Sequence, residues 1–318
     1  MPPEPQQLII VSGEHAQQRS EEIVAAADGA EVRFYPSVAD VGPELADATA
    51  VAGTLTGAQV RSAPGLRWLH SWAAGPNADL IPEVVDSSIV LTSSVGNGAV
   101  PLAEHVILLM LMLDRDVTRW QAAQAEHRWD RFTHGELNGK TLGIIGLGHS
   151  GADLARKAQA FHMKVLGLRR RADLPVDGVD QVYPPSALAE LLPQCDYVAV
   201  TAALTDATAG MFDAAAFQAM KPTAHWICIS RGGIADDDAL LQALQEGWIA
   251  GAGIDAHGVE PLPADSPFWD LPNVIITPHN GATTPATRER GVDVFVQNLA
   301  RFVRDQPMIN IVDKINGY

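Results

Sequence analysis

LGIIGLGHSGADLARKAQAFHMKVLGLRRRA, residues 142–172, decides how this chain folds. Leu142–Ile145 is apolar without polar alternation, the mark of a strand buried on both faces of a parallel sheet. It runs into Gly146, Gly148 and Gly151, a G-x-G-x-x-G turn that opens a helical segment. From Gly151 to His162 that segment places Leu154, Ala155, Ala158 and Phe161 on one stripe. A second apolar run, Lys164–Leu168, follows. Glycines between a strand and a helix form a dinucleotide cradle: they allow a tight bend and close backbone approach, and the helix N-terminus offers free N–H groups and partial positive charge to a pyrophosphate. His149 and Ser150, at the tip of the turn, can add side-chain contacts.

The same alternation extends in both directions. Toward the N-terminus lie LIIV (Leu8–Val11), VRFY (Val32–Tyr35), AVAG (Ala50–Gly53), LRWLHSW (Leu66–Trp72) and IVLT (Ile89–Thr92). Beyond the cradle lie YVAV, WICI, AGAGI and VIIT, with helix-length segments between them. One of these, DDDALLQALQEG, has acids at its start and Gly247 at its end, as the helix dipole and C-capping favour. The pattern predicts an α/β protein of two Rossmann-like, doubly wound parallel-sheet domains with a ligand cleft between them. The hinge falls near Asn97–Pro101, where a long helix crosses over with Pro101 in its first turn, and a second crossing follows Pro285. The substrate domain is thus expected at 1–98 plus 286–318, and the dinucleotide-binding domain at 99–285. VILLMLML (Val106–Leu113) is far too short to span a bilayer and reads as a buried helix.

The chain has 318 residues, 22 Lys plus Arg against 38 Asp plus Glu, and a net charge of −16. Such a field repels phosphate backbones and anionic lipid, so neither nucleic acid nor a membrane is an expected partner. Cys195 and Cys228 have no metal-ligand spacing and lie near apolar runs, as small buried hydrophobes of a reducing compartment would. No metal site is read. The N-terminal MPPEPQQ lacks a positive region followed by an apolar stretch, which predicts no secretory signal and a cytoplasmic protein.

Against that charge, Arg169, Arg170 and Arg171 stand out. About 20 residues past the glycines, an NAD site places an acid on the ribose hydroxyls. Here Arg169 holds that place, and the first acid to follow is Asp173. An acid repels a 2′-phosphate, whereas a guanidinium pairs with it, so Arg169 and Arg170 favour NADP. The alternative is a solvated turn with NAD bound.

Open α/β sheets bind ligands at the carboxyl ends of their strands. Arg231, before Gly232 and Gly233, follows WICIS; Asp255 ends AGAGI, with Glu260 in the next loop; His279 follows VIITP. An Arg, a Glu and a His at one sheet edge suit a dehydrogenase acting on an oxo acid. Arg231 would hold the carboxylate and carbonyl oxygen. His279 would give or take the hydroxyl proton, and Glu260 would orient it and favour its charged form. His257 shares the strand-end position and is the rival to His279; His105 reads as packing or capping, and His70 as a residue that can border the cleft.

LNGKTLGIIGLGHSG, MKPTAHWICISRGGIADDDAL, GAGIDAHGVEPLPADSPFWDLPNVIITPH and SVGNGAVPLAEHV together give a chain that resembles the D-isomer-specific 2-hydroxyacid dehydrogenases, over most of residues 65–285. The resemblance implies a homodimer and reversible hydride transfer to a 2-oxo acid. It gives Arg231, Glu260 and His279 the roles derived above and implies that Asp255 contacts the nicotinamide carboxamide. It also implies that backbone N–H groups of Ala74 and Gly75, in SWAAGPN, bind the substrate carboxylate. Three departures stand beside it. Pro76 removes an N–H from that loop, Ala202 and Ala203 precede Leu204 and Thr205 where the family often has Leu-Pro, and Arg169 replaces the frequent acid.

The expected activity is NADP(H)-dependent interconversion of a small 2-oxo acid, such as glyoxylate, hydroxypyruvate or pyruvate, and its D-2-hydroxy acid. The alternatives are an NAD-dependent member or a dinucleotide-sensing, corepressor-like scaffold. Glu260 stands where formate dehydrogenases resemble this chain but carry Gln, and a long-type phosphoglycerate dehydrogenase would need a regulatory domain beyond Tyr318.

Overall fold

The computed structural model describes residues 7–315 and 317. The N-terminal segment read for a secretory signal lies outside them apart from Gln7, as does Tyr318. The chain divides into two compact units, 1–98 with 284–318 and 99–283.

The first unit is built on β1 (Leu8–Ser12), β2 (Glu31–Tyr35), β3 (Ala48–Ala52), β4 (Trp68–Ser71) and β5 (Val90–Ser93). They pair in the order β2-β1-β3-β4-β5, all parallel. The short helices α1 (Glu14–Gln17), α2 (Ser20–Ala26), α3 (Gly57–Ser62) and α4 (Pro82–Val85) join them. Alternate residues face opposite sides, so both faces need cover. Leu8, Ile10, Val51, Leu69 and Leu91 pack into one core with Val84, and Ile9, Val11, Ala50, Ala52 and Trp68 into another.

The second unit opens with α5 (Ala99–Asp114) and α6 (Val117–Ala125). It continues through β6 (Thr141–Ile145), α7 (His149–Ala160), β7 (Lys164–Leu168), β8 (Gln181–Tyr183), α8 (Leu188–Leu191), β9 (Tyr197–Val200), α9 (Ala214–Ala219), β10 (His225–Cys228), α10 (Asp237–Gln245), β11 (Gly251–Ile254) and β12 (Val274–Ile276). The strands form a seven-stranded parallel sheet in the order β12-β11-β10-β9-β6-β7-β8. Winding runs from β6 to β7 and β8 on one side and resumes with β9 on the other, so β6 and β9 flank a topological switch point, where such sheets bind ligands. The fold is the expected pair of Rossmann-like parallel-sheet domains. From Thr284, whose hydroxyl caps it, α11 (Pro285–Phe302) returns to the first unit and lays Val292, Phe295 and Leu299 on its second core.

Details differ from the sequence reading. β8 was not anticipated, because QVY is three residues at a sheet edge. α7 begins two residues early, at His149, and Phe161 is its C-cap, 37% exposed rather than part of the buried stripe. VILLMLML is not buried all round: Val106, Ile107, Leu109 and Met110 are covered, but Leu108 is 49% exposed. It shares the i, i+4 face of Val100 and Glu104, which turns away from the sheet. No helix among the described residues is long and apolar enough to cross a membrane.

Phe295 links α11 to the first sheet. It is 1% exposed and lies 5.4 Å from the Trp68 ring in a stacked pair, with His70 and Trp72 at 5.3 and 5.2 Å. Phe295→Ala is expected to cost about 3–5 kcal/mol, read as a lowered denaturation midpoint. Val24→Ala, at a half-exposed site, is expected to leave the midpoint in place.

Candidate active site

The three glycines of the turn after β6 differ in what they do. Gly146 has φ +100°, and a Cβ there would stand 2.6 Å from the Ala202 backbone. At Gly151 a Cβ would stand 2.1 Å from the Gly146 carbonyl oxygen. These two are required by backbone shape and by packing of α7 onto the turn. Gly148 has φ −80° and nothing within 4 Å of a Cβ, so neither conformation nor packing asks for glycine. What it provides is bare backbone facing open space at the start of α7, which has no side-chain cap. His149 is exposed and Ser150 partly so.

The far wall of the turn is the loop after β9. Ala202 packs against Gly146, and the Thr201 hydroxyl donates to the Gly146 carbonyl at 2.5 Å. Thr208 shapes the loop by accepting from the Thr205 N–H at 2.8 Å and donating to the Ala203 carbonyl at 2.7 Å.

Arg169 follows β7 and is half-buried, while Arg170 and Arg171 are exposed. Its Nε donates to the Arg171 carbonyl at 2.7 Å and its Nη2 to that of Leu174 at 2.9 Å. Two of its five N–H donors therefore clasp its own loop, which fixes where the guanidinium sits.

Arg231, Glu260 and His279 lie past the ends of β10, β11 and β12, three adjacent strands. The Arg231 guanidinium turns back through Nη1 onto the Ser230 carbonyl at 2.7 Å. The His279 Nδ1 lies 2.9 and 2.8 Å from the two Glu260 oxygens. A carboxylate only accepts, so Nδ1 carries the proton and Nε2 is the ring atom left for chemistry. Burial pushes the Glu260 carboxyl up, but the His257 N–H and the His279 ring outweigh it and hold it below the usual carboxylate range.

His279 sits at φ +50°, and the groups holding that turn come from Asp255. This carboxylate is fully buried and accepts from the Thr277 hydroxyl at 2.6 Å and from the Asn280 and Gly281 N–H groups at 3.1 Å each. Because the Thr277 hydroxyl donates to Asp255, it accepts from His105 Nε2, 3.0 Å away. Spacing alone did not mark Thr277 or His105 as partners of this turn. His257 is buried, and its Nε2 donates to the Thr277 carbonyl at 3.2 Å.

In the first unit, His70 is fully buried rather than at a surface. Its ring meets Thr92 and Ser94 hydroxyls at 2.8 and 3.2 Å, and burial lowers its pKa to about 3. Ala74 is exposed and Gly75 partly so, and neither N–H donates a hydrogen bond among the described residues.

Residues 107–281 match the family model for the D-isomer specific 2-hydroxyacid dehydrogenase, NAD binding domain. The chain belongs to the D-isomer specific 2-hydroxyacid dehydrogenase family. It is 33% identical over 262 residues to a glyoxylate reductase of Korarchaeum cryptofilum, covering 80% of this chain and 78% of that protein. A D-isomer specific 2-hydroxyacid dehydrogenase family protein of Aeromonas salmonicida superposes with a TM-score of 0.85, at 29% identity over 98% of this chain and 100% of that one. An NADPH-dependent glyoxylate/hydroxypyruvate reductase of Sinorhizobium meliloti, solved with NADP and sulfate, gives 0.83 at 29% identity over the same shares. This dehydrogenase is thus an NAD(P)-dependent enzyme, and the open cradle at Gly148 fits a dinucleotide phosphate in its NAD-binding domain.

The glycines of the dehydrogenase then separate by experiment. Gly148→Ala is expected to keep the unfolding midpoint but weaken dinucleotide binding at least tenfold, because its methyl enters the open space. Gly151→Ala is expected to lower the midpoint itself, by about 1–3 kcal/mol of overpacking. Unfolding curves with and without dinucleotide check both.

Proposed function

We propose that this dehydrogenase reduces a small 2-oxo acid such as glyoxylate or hydroxypyruvate, with NADPH preferred over NADH. The observation that carries the reading is the Glu260–His279 contact of 2.8 Å beside Arg231, at the strand ends of the domain that contains the glycine cradle. The names of the similar glyoxylate reductases support the substrate class, and the NADP of the Sinorhizobium meliloti structure supports the cofactor.

When bound, the dinucleotide supplies the hydride. The protein's own groups do the rest. Arg231 presents a planar, permanently charged fork to the substrate carboxylate and carbonyl oxygen, and polarises the carbonyl. His279 delivers a proton from Nε2 to that oxygen as it becomes a hydroxyl, and takes it back in the oxidative direction. Glu260 fixes the ring's tautomer through Nδ1 and stabilises the imidazolium; its carboxyl, held below the usual range, stays charged at neutral pH. The N–H groups of Ala74 and Gly75 would add donors for the substrate carboxylate, and Pro76, with no N–H, leaves their loop one donor fewer. Arg169, held by its loop carbonyls, pairs with the 2′-phosphate together with Arg170.

A specific observation favours a second reading of the cofactor. Arg169 spends two donors on its own turn, and in that reading it is a loop clasp and NAD serves as well.

Turnover of His279→Ala is expected to fall by about 10²–10⁴-fold while the dinucleotide Kd stays unchanged, measured by NADPH oxidation and by fluorescence titration. Near-normal activity would remove His279 from the chemistry and leave His257 as the candidate. For the cofactor, the ratio of kcat/KM with NADPH to that with NADH is expected to be at least tenfold in the wild type. Arg169→Asp is expected to lower it by roughly ten- to a hundred-fold, the equivalent of one charge-assisted contact. A ratio that does not move with the substitution selects the clasp reading.

A further inference from the structure

We propose that His257 is the positioning residue that holds Arg231, Glu260 and His279 in one arrangement; this rests on the reading of Glu260 and His279 as the acid/base pair. His257 is 9% exposed and meets the segments that follow β10, β11 and β12. Its backbone N–H donates to Glu260 Oε1 at 2.9 Å, the same oxygen that lies 2.9 Å from His279 Nδ1. Its ring Nε2 donates at 3.2 Å to the carbonyl of Thr277, two residues before His279. Its own carbonyl faces the Arg231 turn: a Cβ on Gly232 would stand 1.9 Å from that oxygen, so the turn rests directly on the His257 backbone.

Two of these contacts are made by backbone and are open to any residue. Only the ring bond depends on histidine. Downstream of Asp255, the loop that carries Glu260 is joined to the β12 end by two hydrogen-bonded contacts among the described residues. One is the Glu260–His279 pair, whose side chains are 37% and 38% exposed. An exposed pair of this kind has little strength with which to hold its own geometry. The other is the His257 ring, buried and aimed at a fixed carbonyl. It is the strut that keeps the carboxylate under Nδ1 when substrate and water compete for it. A displacement of about 1 Å at a reacting group costs up to about a hundredfold in rate, so the strut is expected to act on turnover rather than on binding.

The test is His257→Gln against His257→Asn in the complete enzyme, assayed with NADPH and glyoxylate. The Gln amide nitrogen reaches about as far as Nε2 and can donate to Thr277, whereas the Asn amide stops short. Gln is expected to keep near-normal kcat. Asn is expected to lose roughly ten- to a hundred-fold in kcat with an unchanged NADPH Kd, and to show a larger solvent deuterium isotope effect as proton delivery becomes limiting. Adding His257→Asn to Glu260→Gln is expected to cost little more than Glu260→Gln alone, since both act on one contact. Equal losses in Gln and Asn, fully multiplicative losses in the double variant, or misfolding of both variants by circular dichroism would each overturn the proposal. Should His279→Ala be inactive while both His257 variants match wild type, the acid/base reading stands and His257 is no strut. Activity in His279→Ala would instead overturn the reading on which the proposal rests.

Discussion

A buried carboxylate has to be satisfied from within the protein, and Asp255, with no exposed surface, imposes that constraint on this structure. Its oxygens take the Thr277 hydroxyl and the N–H groups of Asn280 and Gly281, donors on both sides of His279. The backbone between them must bend sharply, and His279 adopts φ +50°, a conformation that a non-glycine residue holds only when its surroundings over-determine it. From there the arrangement propagates outward. His279 meets Glu260, Glu260 accepts from the His257 N–H, and the His257 carbonyl supports the turn of Arg231. Three groups that are separate in sequence thus meet in one hydrogen-bonded and packed unit, whose His279 turn is held from beneath by a buried carboxylate.

The sheet beneath this unit decides where such chemistry can sit. In a parallel sheet all carboxyl ends share an edge, so residues after β6, β7, β10, β11 and β12 come to the same side. The reversal of winding beside β6 opens the space into which Gly148 faces. The net charge of −16 works against anionic ligands, and Arg169 and Arg231 are local cations set against it, each hydrogen-bonded to carbonyl groups of its own loop. A cation whose position is fixed by neutral acceptors keeps its charge available, whereas one paired with an acid would not.

Much of this was legible in the residues. Apolar runs marked eleven of the twelve strands among the described residues: those of the second sheet lack polar alternation because both of their faces are buried, whereas β2 carries Arg33 and is only partly covered. β8 escaped because three residues at an edge carry no period. The glycine spacing located the turn between β6 and α7 but did not separate its members: Gly146 and Gly151 answer to close backbone contacts, Gly148 to the lack of any. Leu108 was misread because apolar character shows that a helix can be buried, not which of its faces is.

The sequence by itself determined the two parallel-sheet domains, the turn after β6 and the placing of Arg231, Glu260 and His279 past strand ends, since all of these depend on local period and spacing. The pairing of Glu260 with His279 was expected from the sequence, but only the tertiary structure decided its geometry, with both carboxylate oxygens within 2.9 Å of Nδ1. It alone decided that His257, a rival by position, instead lies beneath the pair with its ring turned to the Thr277 carbonyl, and that Arg169 clasps its own turn. The reason is physical. Which of several strand-end side chains meet depends on the pairing register of neighbouring strands and on the donors that a buried charge such as Asp255 recruits, and both are set by residues far apart in the chain.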